Sequence, residues 1–466
     1  MSAERGGAPA GRPRGLSGRI DLEELVARTE RGAIDTVVLA IPDMQGRLQG
    51  KRFAAEHFLS DVASGSAEAC AYLLAVDVEM ATVEGYAHAS WERGYGDFVM
   101  RPCIDTLRVA PWHPATAICL ADLYWHDGSE VLPAPRHVLR RQVERLAEHG
   151  WHGLAGTELE FIVFSDSYEA AWACGYRGLT PANQYNVDYS IQGAARVEPL
   201  IHRLRSEMAG AGMVVESSKG ECNLGQHEIT FRYAGLLEKA DEHVVFKSAA
   251  KEIAAQEGMS LTFMAKYDER EGSSCHVHLS LRDRADGPVF AGESEEGTSE
   301  AFDAFLAGML ATLPELTLLL APNVNSYKRF VAGSFAPTAI AWGRDNRTCA
   351  FRIVGRGGSL RVECRVPGGD VNPYLALAAL VAGGLHGVDA GLELPPPFLG
   401  NAYDSHLPRV PASLAQAAER FGRSNIARAA FGDEVVEHYL NMARVEQRAF
   451  AEAVTDWERY RGFERL

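Results

Sequence analysis

Four short stretches of the chain alternate polar with apolar residues: Thr157-Glu158-Leu159-Glu160-Phe161, Glu228-Ile229-Thr230-Phe231-Arg232, Cys275-His276-Val277-His278-Leu279-Ser280 and Arg361-Val362-Glu363-Cys364-Arg365-Val366. A period of two predicts strands, because successive side chains of a strand point to opposite faces. Glu158 and Glu160 then share one face and Leu159 and Phe161 the other. Around these stretches the period becomes helical, over 21–31, 136–149, 197–209, 236–257, 301–320, 372–387, 411–421 and 434–460. Pro133 and Pro135 lead into the second of these helices and Gly150 stops it. In the last, Tyr439, Leu440, Ala443, Phe450, Val454 and Trp457 form an apolar stripe that reads as core or subunit contact. Ahead of residue 128, short strands are predicted at 36–40, 47–53, 72–76 and 117–122. Residues 42–46 read as a turn, and 85–115 as a loop-like stretch containing Gly and Trp.

This pattern divides the chain into a flexible Gly-, Pro- and Arg-rich tail at 1–17, a small strand-rich domain at 18–128 and a larger domain at 131–466 in which strands alternate with helices. The 466 residues, 47% hydrophobic and 23% charged, are ordinary for a globular protein with a large core. A net charge of -16 argues against a nucleic-acid or anionic-membrane partner and mildly favours cationic ligands, though solubility explains it equally well. The eight cysteines include no CxxC pair, which fits reduced thiols and a cytoplasmic location better than disulfides or zinc. The most apolar tracts are 306–321, interrupted by Pro314 and Glu315, and 374–388, loosened by Gly383, Gly384 and His386; neither reads as a membrane span.

The strands also carry chemistry. Glu158, Glu160, Glu228, His276 and Glu363, joined by Glu221 just ahead of the second stretch, can meet on one polar sheet face. Neighbouring carboxylates repel unless a cation sits between them, and carboxylates with one imidazole suit Mg²⁺ or Mn²⁺. A solvated sheet face is the plainer alternative, but such faces favour Lys and Thr over Glu, His and Arg. Arg329, Arg344, Arg347, Arg352, Arg361 and Arg365 crowd the C-terminal half. Arginines beside a divalent-metal site are what phosphoryl transfer requires, while surface ion pairs would account for any one of them. Gly355-Arg356-Gly357-Gly358 reads as a hairpin loop before a phosphate cradle, and no Walker A, GxGxxG, GxSxG or HExxH sequence is present.

The order of these motifs over residues 30–466 resembles the bacterial-type glutamine synthetases. The residues concerned are Gly156–Phe161, Glu216, Glu221 with Gly225-Gln226-His227-Glu228, Ser274–Ser280, Asn325-Ser326-Tyr327-Lys328-Arg329, Asn346-Arg347 followed by Arg352, and Arg361–Arg365 before Asn372-Pro373-Tyr374. The resemblance implies an α+β fold, a β-grasp domain followed by a catalytic domain whose curved antiparallel sheet, flanked by helices, carries two metals. Glu160, Glu221 and Glu228 would hold one ion, and Glu158, His276 and Glu363 the other. ATP would meet Glu216, His278, Ser280, Arg347, Arg352 and Arg361. L-Glutamate would meet Gly272, Arg329, Arg347 and Arg365, with Arg347 and Arg365 also neutralising the transferring phosphoryl group. A dodecamer of stacked rings is the implied assembly. Tyr403, in Asn401-Ala402-Tyr403-Asp404, resembles the segment that carries a modified tyrosine in some members.

Three departures from the family pattern fall around the acceptor and glutamate loops. Phe335, in Gly333-Ser334-Phe335-Ala336-Pro337, stands where ammonia-using members carry a glutamate; the Asp-Gly-Ser-Ser segment that helps bind ammonium across the subunit boundary is absent, leaving Asp77 as its nearest counterpart; and Glu271-Gly272 replaces the Asn-Gly that touches bound glutamate. Losing a charged hydrogen-bond partner costs about 1.5–3 kcal/mol for ammonium. A phenylalanine instead offers about 0.8 kcal/mol per buried CH₂ and a cation–π contact of about 0.5–2 kcal/mol. The expected acceptor is therefore an organic amine in a pocket formed by Phe335, Tyr185 and Asp77. Polyamines are the first choice and ethanolamine the second, ahead of ammonium. A metal-dependent hydrolase and an inactive regulatory homologue are the rival classes.

Overall fold

The computed structural model describes residues 18–294 and 296–466; the tail expected at 1–17 lies outside them. The first sheet has the order β2-β1-β5-β4-β3, built from β1 (Thr36–Pro42), β2 (Leu48–Ala54), β3 (Ala67–Cys70), β4 (Asp97–Val109) and β5 (Thr116–Tyr124). β1 runs parallel to β5, and the remaining pairs are antiparallel. The turn between β1 and β2 closes on the Asp43 carboxylate, which accepts the N–H groups of Gln45 at 3.0 Å and Arg47 at 2.9 Å.

Two expectations fail here. The strand expected at 72–76 is a 3-10 turn, Ala71–Leu74, with the strand lying just upstream. The stretch taken as loop contains β4, where Phe98 and Met100 are buried before Pro102 and a register shift between Cys103 and Arg108 break the alternation. Proline and a bulge remove the period by which a strand is recognised.

The second sheet has the order β12-β13-β14-β11-β6-β8-β7, with β9 and β10 also paired to β6. Its strands are β6 (Trp151–Phe164), β7 (Val215–Gly220), β8 (Gln226–Phe231), β9 (Ala234–Gly235), β10 (Ser260–Thr262), β11 (Cys275–Asp283), β12 (Trp342–Arg344), β13 (Phe351–Val354) and β14 (Arg361–Cys364). All pairs are antiparallel except β12 with β13. Leu159, Phe161, Ile229, Val277, Leu279 and Val362 are buried on the apolar face. There Phe246, from helix Leu236–Gln256, meets Phe231 and Phe161 edge-on at centroid distances of 5.0 and 6.3 Å. The whole is an α+β fold.

Helices Glu300–Leu320 and Pro373–Ala390 are long and apolar enough to cross a membrane, but 72% and 78% of their most apolar windows are buried inside the protein. They are core helices. The first continues through Pro314, and the glycines of the second mark where the two cross: a Cβ at Gly308 would lie 2.3 Å from Gly383 O. The last predicted helix is two, Asp433–Glu452 and Asp456–Gly462, the second started by a capping box between Thr455 and Glu458. Tyr439, Leu440 and Ala443 of its stripe are buried, whereas Phe450, Val454 and Trp457 are exposed.

Candidate active site

Register assembles the polar face. Glu160 lies opposite Glu228, Glu158 opposite His276, and Glu363 opposite both His278 and Arg352. Residues directly opposite across antiparallel strands share a face, with Cβ atoms about 4.5–5.5 Å apart. Two sets of ligand-type atoms result, Glu158/His276/Glu363 and Glu160/Glu221/Glu228, each mutually within 4.8 Å. His278 Nε2 lies 2.9 Å from one Glu158 oxygen, and His276 Nδ1 3.3 Å from the other. Arg352 donates to Glu363 at 2.8 Å, and Arg365 also pairs with that carboxylate. Glu160 accepts the Ser274 N–H at 2.8 Å and the Gln226 amide at 3.1 Å, which fixes its orientation.

Burial pushes the Glu228 carboxyl up to about 9, and the charges of Glu158, Glu160 and Glu221 add to the push. Burial and the Glu160 charge raise Glu221 to about 8 despite the ammonium of Lys219. Burial acts the same way on Glu158, but hydrogen bonds with His276 and His278 outweigh it and hold that carboxyl far below the usual range. Glu363 is likewise depressed, because His276, Arg365, His278 and Arg352 together overcome its burial. His276 is driven toward its neutral form by burial and by Arg365. The crowded carboxylates of Glu160, Glu221 and Glu228 in one set, and the ionised carboxylates of Glu158 and Glu363 beside the neutral His276 imidazole in the other, are donor sets that fit a hard or borderline divalent cation.

Two cavities meet at Glu158. One of about 320 Å³ is lined by Glu158, Glu216, His278, Ser280 and Arg361, with Gly358 and Ser359 at its edge. The other, of about 270 Å³, contains all six candidate ligands together with Gly272, Arg329, Phe335, Arg347, Arg352 and Arg365. Glu216 reaches the first cavity from a bulge in β7, the extra residue between Val215 and Ser217. Gly272 is demanded by space: a Cβ there would lie 2.3 Å from Ala265 O and 2.9 Å from the Arg329 stem. Arg329 is buried and spends two N–H groups on the carbonyls of Val366 and Arg365, at 2.8 and 2.9 Å. Burial pulls its pKa down to about 10. Arg365 lines the second cavity, and its Nε is buried with no hydrogen-bond partner.

Two placements differ from expectation. Arg352, expected at the nucleotide, lines the second cavity and pairs with Glu363 and Asp345. Tyr185 lines neither cavity; Tyr189 lines the second in its stead. Asp77, the counterpart of a segment expected to act across a subunit boundary, lies outside both cavities of its own chain, its carboxylate accepting the N–H groups of Glu79 and Ala81, each at 2.9 Å. The sequence reading missed Asp188, Tyr189 and Lys219. The Lys219 ammonium pairs with Glu221, lies 3.3 Å from Asp188, and sits 4.5 Å above the Tyr189 ring. Its place opposite Glu228 was the available signal, legible only once the register was known.

Comparison with known proteins gives this geometry a family. A profile of the glutamine synthetase catalytic domain matches residues 133–461. The gamma-glutamylethanolamide synthetase GlnA4 of Streptomyces coelicolor is 64% identical over 447 residues, covering 96% of either chain. A glutamate–isopropylamine ligase from a Pseudomonas species is 38% identical, covering 92% of this chain and 95% of its own. Among solved structures, a GmaS/ADP complex superposes with a TM-score of 0.83 at 26% identity, covering 94% of this chain and 99% of that one. The chain belongs to the glutamine synthetase family and is an ATP-dependent carbon–nitrogen ligase.

Proposed function

We propose that the protein joins the γ-carboxylate of L-glutamate to a small organic amine, with ethanolamine as the preferred acceptor. The observation that carries this reading is the meeting of the two cavities at Glu158, which gives a nucleotide and an amino acid separate seats with one shared wall. ATP would occupy the larger cavity beside Glu216, His278, Ser280 and Arg361. Glutamate would occupy the other, its α-carboxylate on the remaining N–H groups of Arg329 and its backbone passing close over Gly272. Two divalent ions, Mg²⁺ or Mn²⁺, on Glu160/Glu221/Glu228 and Glu158/His276/Glu363 would supply neutralisation of the phosphate oxygens. Arg352 orients Glu363 by direct pairing, and Arg347 and Arg365 bring charge to the transferring phosphoryl group.

A γ-carboxylate oxygen attacks the terminal phosphorus and ADP leaves, giving γ-glutamyl phosphate. The amine nitrogen then attacks the γ-carbonyl carbon, the bond from that carbon to the phosphate oxygen breaks, and the amine's surplus proton passes to a carboxylate at the rim. Asp188 stands at that rim and already lies 3.3 Å from an ammonium group, that of Lys219. Phe335 and Tyr189 supply its apolar walls. The 64% identical gamma-glutamylethanolamide synthetase supports a short amino alcohol ahead of the polyamines favoured by sequence reasoning. Polyamines stay as a second reading, because Glu271 adds a further carboxylate to the same cavity for a distal ammonium.

The same reading assigns 18–128 to a β-grasp domain and 131–466 to a catalytic domain, the family match at 133–461 supporting the second. The exposed Phe450, Val454 and Trp457 support burial against another subunit in a ring assembly. The test of function is an acceptor series with glutamate and ATP, reading phosphate release and amide formation together. Ethanolamine should give the highest kcat/KM, followed by putrescine and spermidine; ammonium exceeding every organic amine would remove the proposal.

A further inference from the structure

Phe335 is held over the second cavity in a conformation that needs support. Its φ is +58°, and its side chain is 54% exposed while lining the cavity. A bulky residue keeps a left-handed backbone only where neighbours over-determine it. Arg365 donates to the Phe335 carbonyl at 3.4 Å from the ligand side. From the other side, the Tyr403 hydroxyl donates to the Ala336 carbonyl at 3.1 Å.

Tyr403 belongs to a strap. Its short turn, Ala402–Asp404, is fixed by Asn401, whose side chain accepts the Tyr403 N–H at 3.2 Å, and by Thr348, whose hydroxyl accepts the Ala402 N–H at 2.9 Å. Downstream, Ile340 N–H donates to Pro408 O at 2.8 Å and Val410 N–H to Thr338 O at 3.2 Å. Arg409 links both strands of the strap, donating to the Thr338 hydroxyl at 2.9 Å and to Tyr403 O at 3.1 Å. The stem of the acceptor loop is thus laced to residues 402–410, and the lacing ends next to Phe335.

We propose that Tyr403 is a positioning residue for amine coupling: its hydroxyl holds the 335–336 bend so that Phe335 covers the acceptor end of the cavity and the activated glutamyl group meets amine in place of water. The reaction it acts on is the ligation proposed above. When the cover loosens, water attacks the γ-carbonyl carbon of γ-glutamyl phosphate and the bond to the phosphate oxygen breaks. Glutamate and phosphate are released, and the net reaction is hydrolysis of ATP to ADP and phosphate. Phosphate released per amide formed therefore reads the position of the loop.

The experiment uses Tyr403→Phe in the full chain, with the acceptor that the unaltered enzyme uses best. Loss of one hydrogen bond should raise the acceptor KM by about 2–10-fold, raise phosphate per amide above unity, and leave the KM for ATP and glutamate unchanged. Arg409→Ala, which unlaces the strap from its far end, should shift the same ratio in the same direction. A merely structural tyrosine would lower Tm and kcat while keeping one phosphate per amide. That result, or an unchanged acceptor KM, overturns the proposal. A wrong choice of amine would show in the acceptor ranking of the unaltered enzyme, not in this ratio.

Discussion

At the scale of single residues, the two ligand sets have opposite acid–base character. Glu221 and Glu228 are raised to about 8 and about 9 in the folded chain, from an ordinary value of 4.5. Between those limits the metal-free folded state holds protons that the unfolded chain has released, so its stability falls as pH rises from about 4.5 toward 8–9. Glu158 and Glu363 are depressed, and the stability they contribute is present above 4.5 and lost as pH falls below it. A divalent ion must displace the protons on Glu221 and Glu228. Chelator-treated protein should therefore lose Tm between pH 6 and 8.5, and Mn²⁺ should restore it, with an affinity that rises over that range. Calorimetry in buffers of differing ionisation enthalpy should show net proton release; no buffer dependence would mean that these acids are already ionised without metal. At the rim, Asp188→Asn removes a charged partner worth about 1.5–3 kcal/mol, which corresponds to roughly 10–100-fold in KM for organic amines. Steady-state kinetics should show that rise with the KM for glutamate unaltered.

At the scale of elements, period was legible and exceptions to period were not. The four alternating stretches lie in β6, β8, β11 and β14, because each has one face on the core and one on the site. Which residue faces which across the strands is set by long-range pairing, and no local pattern reports it. That is why Lys219 was missed and why Glu216, aimed by a bulge, had no periodic signature. Asp188 and Tyr189 sit in irregular chain ahead of helix Ile191–Ala194, where neither period applies. The break in the last helix was legible in principle, since Thr455 and Glu458 have capping-box spacing. The glycines taken as loosening a helix instead permit a close crossing, which gives an element-scale test. Alanine at Gly308 would gain about 1 kcal/mol in helix propensity. Its Cβ, however, would lie 2.3 Å from Gly383 O and 2.5 Å from Gly387 N, backbone atoms that cannot swing aside. Overpacking of this kind costs about 1–3 kcal/mol or more, so the clash wins. Gly308→Ala should lower the urea midpoint, and a raised midpoint would mean that the crossing opens freely.

At the scale of the whole molecule, a buried guanidinium helps to fasten the first sheet to the helices behind the catalytic sheet. Arg136 is 3% exposed; it donates to both Asp241 oxygens at 2.9 Å and pairs with Asp122 at the end of β5. Tyr374, at the start of helix Pro373–Ala390, donates to Asp241 at 2.6 Å and completes the joint. Arg136→Met removes the cation but fills much of its volume. Asp122 then keeps Arg140, whereas Asp241 is left with a phenol as partner for a buried charge. Breaking a buried pair from one side costs about 3–5 kcal/mol, while removing both charges is often close to neutral. Arg136→Met should therefore unfold at distinctly lower urea, and adding Asp241→Asn to it should recover most of the loss, a coupling readable in a double-mutant cycle. Equal loss in the single and double variants would locate the energy in the packing of the Arg136 stem and not in the charge it neutralises. None of these side chains lines either cavity, so kinetic constants per folded enzyme should stay at their original values in both variants, which separates the fastening of the two halves from the chemistry they enclose.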